Sequence, residues 1–183
     1  MVSKIAGIAL RAFQFLFGVV VLGLSISLIK NSPLVDGPNS KHAYAAFVGA
    51  ITTVTAIMGV LSLWFPAVGG IISMVFDGFI ILVNLVGGLI IAITIGNIKC
   101  SSHRNSRSTF VNFSKLVSNS LIGCSLTSSD ACTAWDRKSD DDVIHMLVGR
   151  CQMNQADAAF QFLTVLVLLG SLVVTWMRMK NNK

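Results

Sequence analysis

The sequence predicts an all-α integral membrane protein: a four-transmembrane-helix up-and-down bundle with a long, disulfide-bearing extracytoplasmic loop between the third and fourth helices. Three observations carry this reading. Hydrophobic residues make up 54% of the 183 positions and charged residues only 12%, whereas a soluble domain carries about 25% charged residues. Mean hydropathy is +0.75, which a water-facing surface cannot sustain. The apolar residues also gather into four runs, and each meets the roughly 20-residue length that a ~30 Å hydrocarbon core requires.

The first run covers about residues 5–29 and ends at Lys30. Lys4 and Arg11 stand where a signal peptide carries its positive charges. The apolar stretch 12–29 exceeds a usual signal core, however, and no A-x-A site closes it, so an uncleaved span is expected. The second run covers about 43–65 and stops at Pro66. The third, about 67–98, starts just after that proline, which suits a first helical turn, and ends at Lys99. It is long enough to tilt or protrude. The fourth covers about 156–177 and ends before Arg178. Each run must be helical, because lipid offers no partner to an exposed backbone N–H or C=O.

The connections are unequal. Residues 31–42 form a short polar loop with Pro33, Gly37 and Pro38. A tight turn around Trp64, Phe65 and Pro66 joins runs two and three. A polar stretch, 99–155, separates runs three and four. Within it, Phe110, Phe113, Leu116, Val117 and Leu121 share one face of a short helix that would rest on the outer leaflet. Asp140 is placed to cap a second helix running through Val143, Ile144 and Leu147 toward the fourth span.

Four spans put both termini on one side. Counting bases near span ends leaves the orientation open, because the long loop is at the limit of the positive-inside rule. Cysteine decides it. All four, Cys100, Cys124, Cys132 and Cys151, fall in the long loop and none in a span. An even number in one loop reads as disulfides, which persist on the oxidising side. Three connectivities exist. The favoured one joins Cys100 to Cys151 at the base of the loop and nests Cys124 with Cys132 inside it. Zinc is the rival, since Cys100 and His103 stand as C-x-x-H with His145 and Cys151 at the far end, but no second tight pair accompanies them. Free thiols are the third option. The only N-x-S/T sequon without proline begins at Asn112, a glycosylation acceptor consistent with a lumenal loop. Trp64 and Trp176 would then sit at the cytosolic headgroup level and Tyr44 at the outer one. Both termini are expected in the cytosol.

The formal charge is +6, from 14 Lys and Arg against 8 acids, every one an Asp. The bases cluster at segment ends, so anionic lipid headgroups rather than nucleic acid are the expected partner.

Polar residues inside the spans recur at helical spacing: Arg11, Gln14, Gly18 and Ser25; Asp77, Asn84 and Gly88; Asp157, Gln161, Thr164, Ser171 and Thr175. Such faces turn toward the bundle, not the lipid. Gly88, Ala92 and Gly96 lie at four-residue intervals and allow close helix approach. Ala45 with Gly49 and Ala46 with Ala50 offer the same pattern for contacts with other copies, so lateral assembly into homo-oligomers is expected. A mid-membrane charge costs about +2.5 to +3.5 kcal/mol on insertion scales. Arg11 and Asp77 are therefore expected to meet, with Asn84, in an intramembrane polar network that fixes helix register. The alternatives are an unpaired Asp77, protonated and hydrogen-bonded, and a proton or ion site on Asp77, which would make the chain a small transporter or channel. No catalytic set, cofactor-binding motif or metal-ligand set stands out: there is no Glu, and none of the three histidines is spaced from a nucleophile or metal partner.

Several residues together resemble the fungal MARVEL-domain proteins of the non-classical-export and eisosome-organising type. They are Phe76, Asp77 and Asn84 in span three, Lys99 and Cys100 at its exit, and Arg150 and Cys151 before span four. Gln155, Ala156 and the run 158–163 open span four, and Arg11 with Phe15, Leu16 and Phe17 adds to the set. The resemblance covers nearly the whole chain, residues 1–183 as a single domain, except the centre of the long loop. It implies a four-helix membrane bundle with cytosolic termini, residence in furrow-like plasma-membrane domains, a role in organising them, and responsiveness to sphingolipid, with sterol a further candidate lipid. Cytosolic scaffold proteins are implied partners, and enzyme activity is not. A tetraspanin-like scaffold shares the architecture, but its Cys-Cys-Gly signature is absent.

Overall fold

A computed structural model describes residues 2–30, 40–61, 71–96, 98–100, 115–123 and 140–181. Four long helices dominate them: α1 (Val2–Lys30), α2 (Ser40–Leu61), α3 (Ile71–Ile95) and α4 (Asp140–Asn181). No strand occurs among the described residues. Each helix contains a stretch long and apolar enough to cross a membrane. The tight turn around Trp64 and Pro66 lies outside the described residues, as do Cys124, Cys132 and Asn112.

The helices close a ring. α1 packs against α2 and α4, and α3 packs against α4 and, least extensively, α2. Running antiparallel in chain order, they leave two ends. The near end carries the starts of α1 and α3. The far end carries Lys30, Ser40 and Ile95.

Small residues set the spacing at the seams. A Cβ on Gly49 of α2 would come within 2.6 Å of the Leu22 backbone nitrogen, and one on Gly18 within 2.7 Å of Thr53 Oγ1. Gly88 of α3 receives the Phe162 ring of α4, its Cβ position 3.2 Å from the ring. Gly88 thus serves the internal close approach expected of it. The pair Ala45 and Gly49 does not serve outward contacts. Both are buried and turned toward the bundle, because α1 needs that space.

The outward faces are apolar. Phe13, Leu82, Ile93 and Leu166 are all more than half exposed, with Ile93 at 78%. A monomer in water rarely exposes patches of this extent, whereas lipid accommodates them.

The helix expected to start at Asp140 does so, and it runs without a break into the fourth apolar run. α4 is one continuous helix of 42 residues from Asp140, about 63 Å at ~1.5 Å per residue. Its first 16 residues extend about 24 Å before the expected span begins. Within them Leu147, Val148, Cys151 and Asn154 form a buried stripe at three- and four-residue spacing. The stretch between α3 and α4 is shorter accordingly. One expectation is corrected, for the segment around Leu116. Phe110 and Phe113 lie outside the described residues, and a single helical turn, 115–118, forms among those described. Leu116, Leu121 and Ile122 are buried against Ala45, Ile91, Ile95 and Leu147, so they plug the far end of the bundle and do not rest on a leaflet. Asn119 anchors the plug, donating through Nδ2 to the Thr94 carbonyl at 2.8 Å and accepting from the Leu121 N–H at 2.9 Å.

Gly49→Leu is expected to lower thermal stability in lipid nanodiscs by overpacking, about 1–3 kcal/mol. Ile93→Ala on the lipid face should stay within about 0.5 kcal/mol. Equal shifts for the two variants would show that the α1–α2 seam does not limit stability.

Candidate functional site: an intramembrane polar network

The stripe of polar residues on each helix faces inward. Arg11 and Asp77 are 5% and 2% exposed, and Gln14, Ser25, Thr52, Asn84, Asp157, Gln161 and Thr164 are likewise buried. The network has three parts along the bundle.

The near-end part is built on Arg11. Its guanidinium donates to both carboxylate oxygens of Asp77, Nη1 to Oδ1 at 2.6 Å and Nη2 to Oδ2 at 2.5 Å. This planar fork is the strongest geometry for such a pair. Nη1 also donates to Gln14 Oε1 at 2.7 Å and Nη2 to Ser73 Oγ at 3.2 Å. The periodicity explains the convergence: Ser73 and Asp77 are four residues apart on α3, and Arg11 and Gln14 three apart on α1, so each pair shares a face. Gly59 of α2 makes the room, since a Cβ there would lie 2.6 Å from Arg11 Cζ.

Gln14 carries the network inward. Its Nε2 donates to Thr55 Oγ1 at 3.3 Å and, at 3.5 Å, to the Thr52 carbonyl. Asn84 donates to Thr52 Oγ1 and to the Ile80 carbonyl, both at 2.9 Å. Asn84 therefore joins Arg11 and Asp77 through Thr52 and Gln14, not by direct contact.

The middle part links α1 to α4, where Ser25 Oγ donates to Asp157 Oδ2 at 3.1 Å. Asp157 Oδ1 and both amide atoms of Gln161 have no hydrogen-bond partner. Gly87 backs onto that amide.

The far-end part was not legible as a site. His42 was expected outside the spans, yet it is 1% exposed, with its Nε2 3.0 Å from Asn154 Oδ1. It lies on the inward stripe of α2 with Ala45, Gly49, Thr52, Ala56 and Gly59, and that spacing is the signal that finds it. Lys41 donates to Thr94 Oγ1 at 3.3 Å and to Ser120 Oγ at 3.4 Å, tying α2 to α3 and to the plug. The Tyr44 hydroxyl donates to the Val83 carbonyl of α3 at 3.3 Å. Trp176, near the end of α4, is 62% exposed. The Cα atoms of Cys100 and Cys151 are 5.5 Å apart, the separation a disulfide requires. No group of three His, Cys or Asp residues among those described is placed to hold a metal ion.

Chemically, the near-end arrangement holds two opposite charges as a neutral unit with satisfied hydrogen bonds. It joins α1 to α3 across the ring, while His42 and Asn154 join α2 to α4 at the other end. The family profile described as MARVEL, a membrane-associating domain, matches residues 4–174. No curated protein and no solved structure matches.

Removing one partner of a buried ion pair strands the other charge, at about 3–5 kcal/mol. Arg11→Ala and Asp77→Ala should each destabilise the bundle on that scale. The double reversal Arg11→Asp with Asp77→Arg should be better folded than the sum of the single reversals implies. Thermal unfolding of all variants in nanodiscs measures this, and strict additivity would mean the two residues are not energetically coupled.

Proposed function

The chain belongs to the MARVEL family of membrane-associating domains, and from that premise we propose that this multi-pass membrane protein is a non-enzymatic organiser of plasma-membrane lipid and protein microdomains. It works by lateral association in the bilayer, in eisosome-like furrows responsive to sphingolipid, with links to non-classical export. The observation that carries this reading is the division of each helix into two faces. The polar side chains are turned inward, with Arg11, Asp77, Ser25 and Asn84 in internal hydrogen bonds, while the exposed faces present Phe, Leu, Ile and Val to the surroundings. A protein of this build has its largest surface toward lipid and toward neighbours in the membrane plane.

In this reading the near end is cytosolic, with both termini, and bases there hold anionic lipid at about 1 kcal/mol each. The far end is extracytoplasmic. Cys100 and Cys151 are disulfide-bonded across the base of the connection between α3 and α4, which adds about 4 kcal/mol in the chain-entropy picture. Asp77 serves register rather than transport, because a carboxylate forked by a guanidinium is already compensated.

Single-particle tracking in living cells tests the organiser reading. Depleting sphingolipid is expected to change both clustering and diffusion. Unchanged behaviour would remove the support for this role and favour transport through Asp77, which a flux assay on Asp77→Asn would then resolve. For the topology, non-reducing peptide mapping is expected to recover Cys100 joined to Cys151 from freshly isolated membranes. Recovery of Cys100 as a free thiol would remove the main ground for a cytosolic near end.

A further inference from the structure

Six buried side-chain nitrogen and oxygen atoms among the described residues have no hydrogen-bond partner, and none of them belongs to the Arg11–Asp77 part of the network. They lie on His42 of α2 and on Arg150, Asp157 and Gln161, which share the inward face of α4. Buried polar groups are bonded as a rule, and each exception calls for a physical reason. Asp157 calls for one most, because an ionisable residue inside a span is costly unless it is compensated. It is fully buried. Ser25 Oγ of α1 donates to its Oδ2 at 3.1 Å, and Oδ1 receives nothing.

No base compensates Asp157 as Arg11 compensates Asp77, for the one ion pair among the described residues is Arg11 with Asp77. On α4, Arg150 is seven residues away on the same face, about 10.5 Å along the axis at ~1.5 Å per residue. From α1 comes Ser25, while Lys30 is exposed at the far end and Arg11 is engaged by Asp77. From α2, His42 faces Asn154 one turn farther out, Lys41 is bonded to Thr94 and Ser120, and the Tyr44 hydroxyl to the Val83 carbonyl. From α3, Gly87 and Gly88 face α4, and Asp77 is held by Arg11. An ionised Asp157 would keep its charge in a water-poor interior on a single hydroxyl donor.

We propose that Asp157 is a proton-binding site: Oδ1 carries a proton and donates it to Gln161 Oε1, so that Ser25, Asp157 and Gln161 form a neutral clasp joining α1 to α4. This goes beyond the organiser reading and does not depend on it. One proton pairs two of the orphan atoms at once, turning Oδ1 from an acceptor without a donor into the donor that Oε1 lacks. Asp157 and Gln161 are four residues apart on one helix, the spacing at which side chains meet. Glutamine suits the place because its amide both accepts and donates. Oε1 serves the acid, and Nε2, with the amide turned over, serves the bare carboxylate. Gly87 gives that amide room, since a Cβ there would collide with Oε1. On release the O–H bond breaks, the electron pair stays on Oδ1 and the proton passes to solvent water.

Infrared spectroscopy of the full chain in lipid nanodiscs tests this. The carbonyl stretch of a buried protonated carboxyl is expected at neutral pH, lost as pH rises and absent in Asp157→Asn. Ser25→Ala should keep the band and move it to higher wavenumber, because the carbonyl at Oδ2 loses its donor. That shift assigns the band independently should Asp157→Asn disturb folding. A proton bound by the folded bundle and released by the unfolded chain makes stability fall with rising pH. Thermal stability should therefore be full below the range where an exposed aspartate titrates, and fall through the range where the band is lost. Asp157→Asn keeps the shape and the donor of the acid form. It should unfold at the wild-type temperature at low pH and lack the fall. Absence of the acid band at neutral pH in the wild-type chain, or its persistence unshifted in both variants, would overturn the proposal. If the band is absent and stability rises with sodium chloride but not with choline chloride, a sodium ion balances the charge instead. Insensitivity to both salts would leave an ionised, hydrated carboxylate, which equally overturns the proton site.

Discussion

The Arg11–Asp77 pair sits where no water screens it, and the surrounding bundle is arranged to keep it neutral. Desolvating two charges costs several kcal/mol per ion even after relaxation, so every hydrogen bond around them counts. The structure answers with the bidentate fork, with Gln14 and Ser73 on the guanidinium, and with a glycine on α2 where any side chain would collide. Because Arg11 is on α1 and Asp77 on α3, the pair spans the ring diagonally. It sets the rotation and the axial register of both helices together, and Gly59 lets α2 approach the Arg11 head.

Much of the inward face was legible beforehand, and the reason is physical. In lipid a polar side chain on the outside is so unfavourable that its position reports the interior, and helical periodicity then groups Arg11 with Gln14, and Asp157 with Gln161 and Thr164. What was not legible is three-dimensional or amphiphilic in origin. The role of Gly59 depends on where the Arg11 head arrives from another helix. The inward stripe of α2 continues to His42, beyond the apolar run, because Asn154 supplies its partner. The start of α4 escapes hydropathy, since residues 140–155 are polar on one side and packed on the other, but the cap at Asp140 and the apolar residues Val143, Ile144 and Leu147 mark the helix. The plug was misplaced because an apolar face in a loop has two sinks, the leaflet and the open end of the bundle. Leu121 and Ile122 are fully buried in the second.

The two ends of the bundle solve different problems. At the near end a charged pair is enclosed by helices alone. At the far end the segment 115–123 covers the helices with three buried apolar side chains, and Asn119 donates to the Thr94 carbonyl and accepts from the Leu121 N–H. Lys41 adds bonds to α3 and to Ser120 of the same segment. The far end thus depends on residues more than 20 positions away in the chain, whereas the near end depends on residues within the spans.

The unbroken course of α4 turns the helix into a lever arm. A rigid rod about 63 Å long passes through a hydrocarbon layer of ~30 Å, so a change in tilt at one depth is displaced in proportion at the other. Swinging the rod by about ten degrees, well inside the spread of tilts seen for spanning helices, carries its first residue sideways by about 4 Å relative to residue 156, over the 24 Å between them. Cys151 lies part-way along that arm and is placed against Cys100 just past α3. Any swing of that arm therefore acts on the exit of α3, where Cys151 meets Cys100.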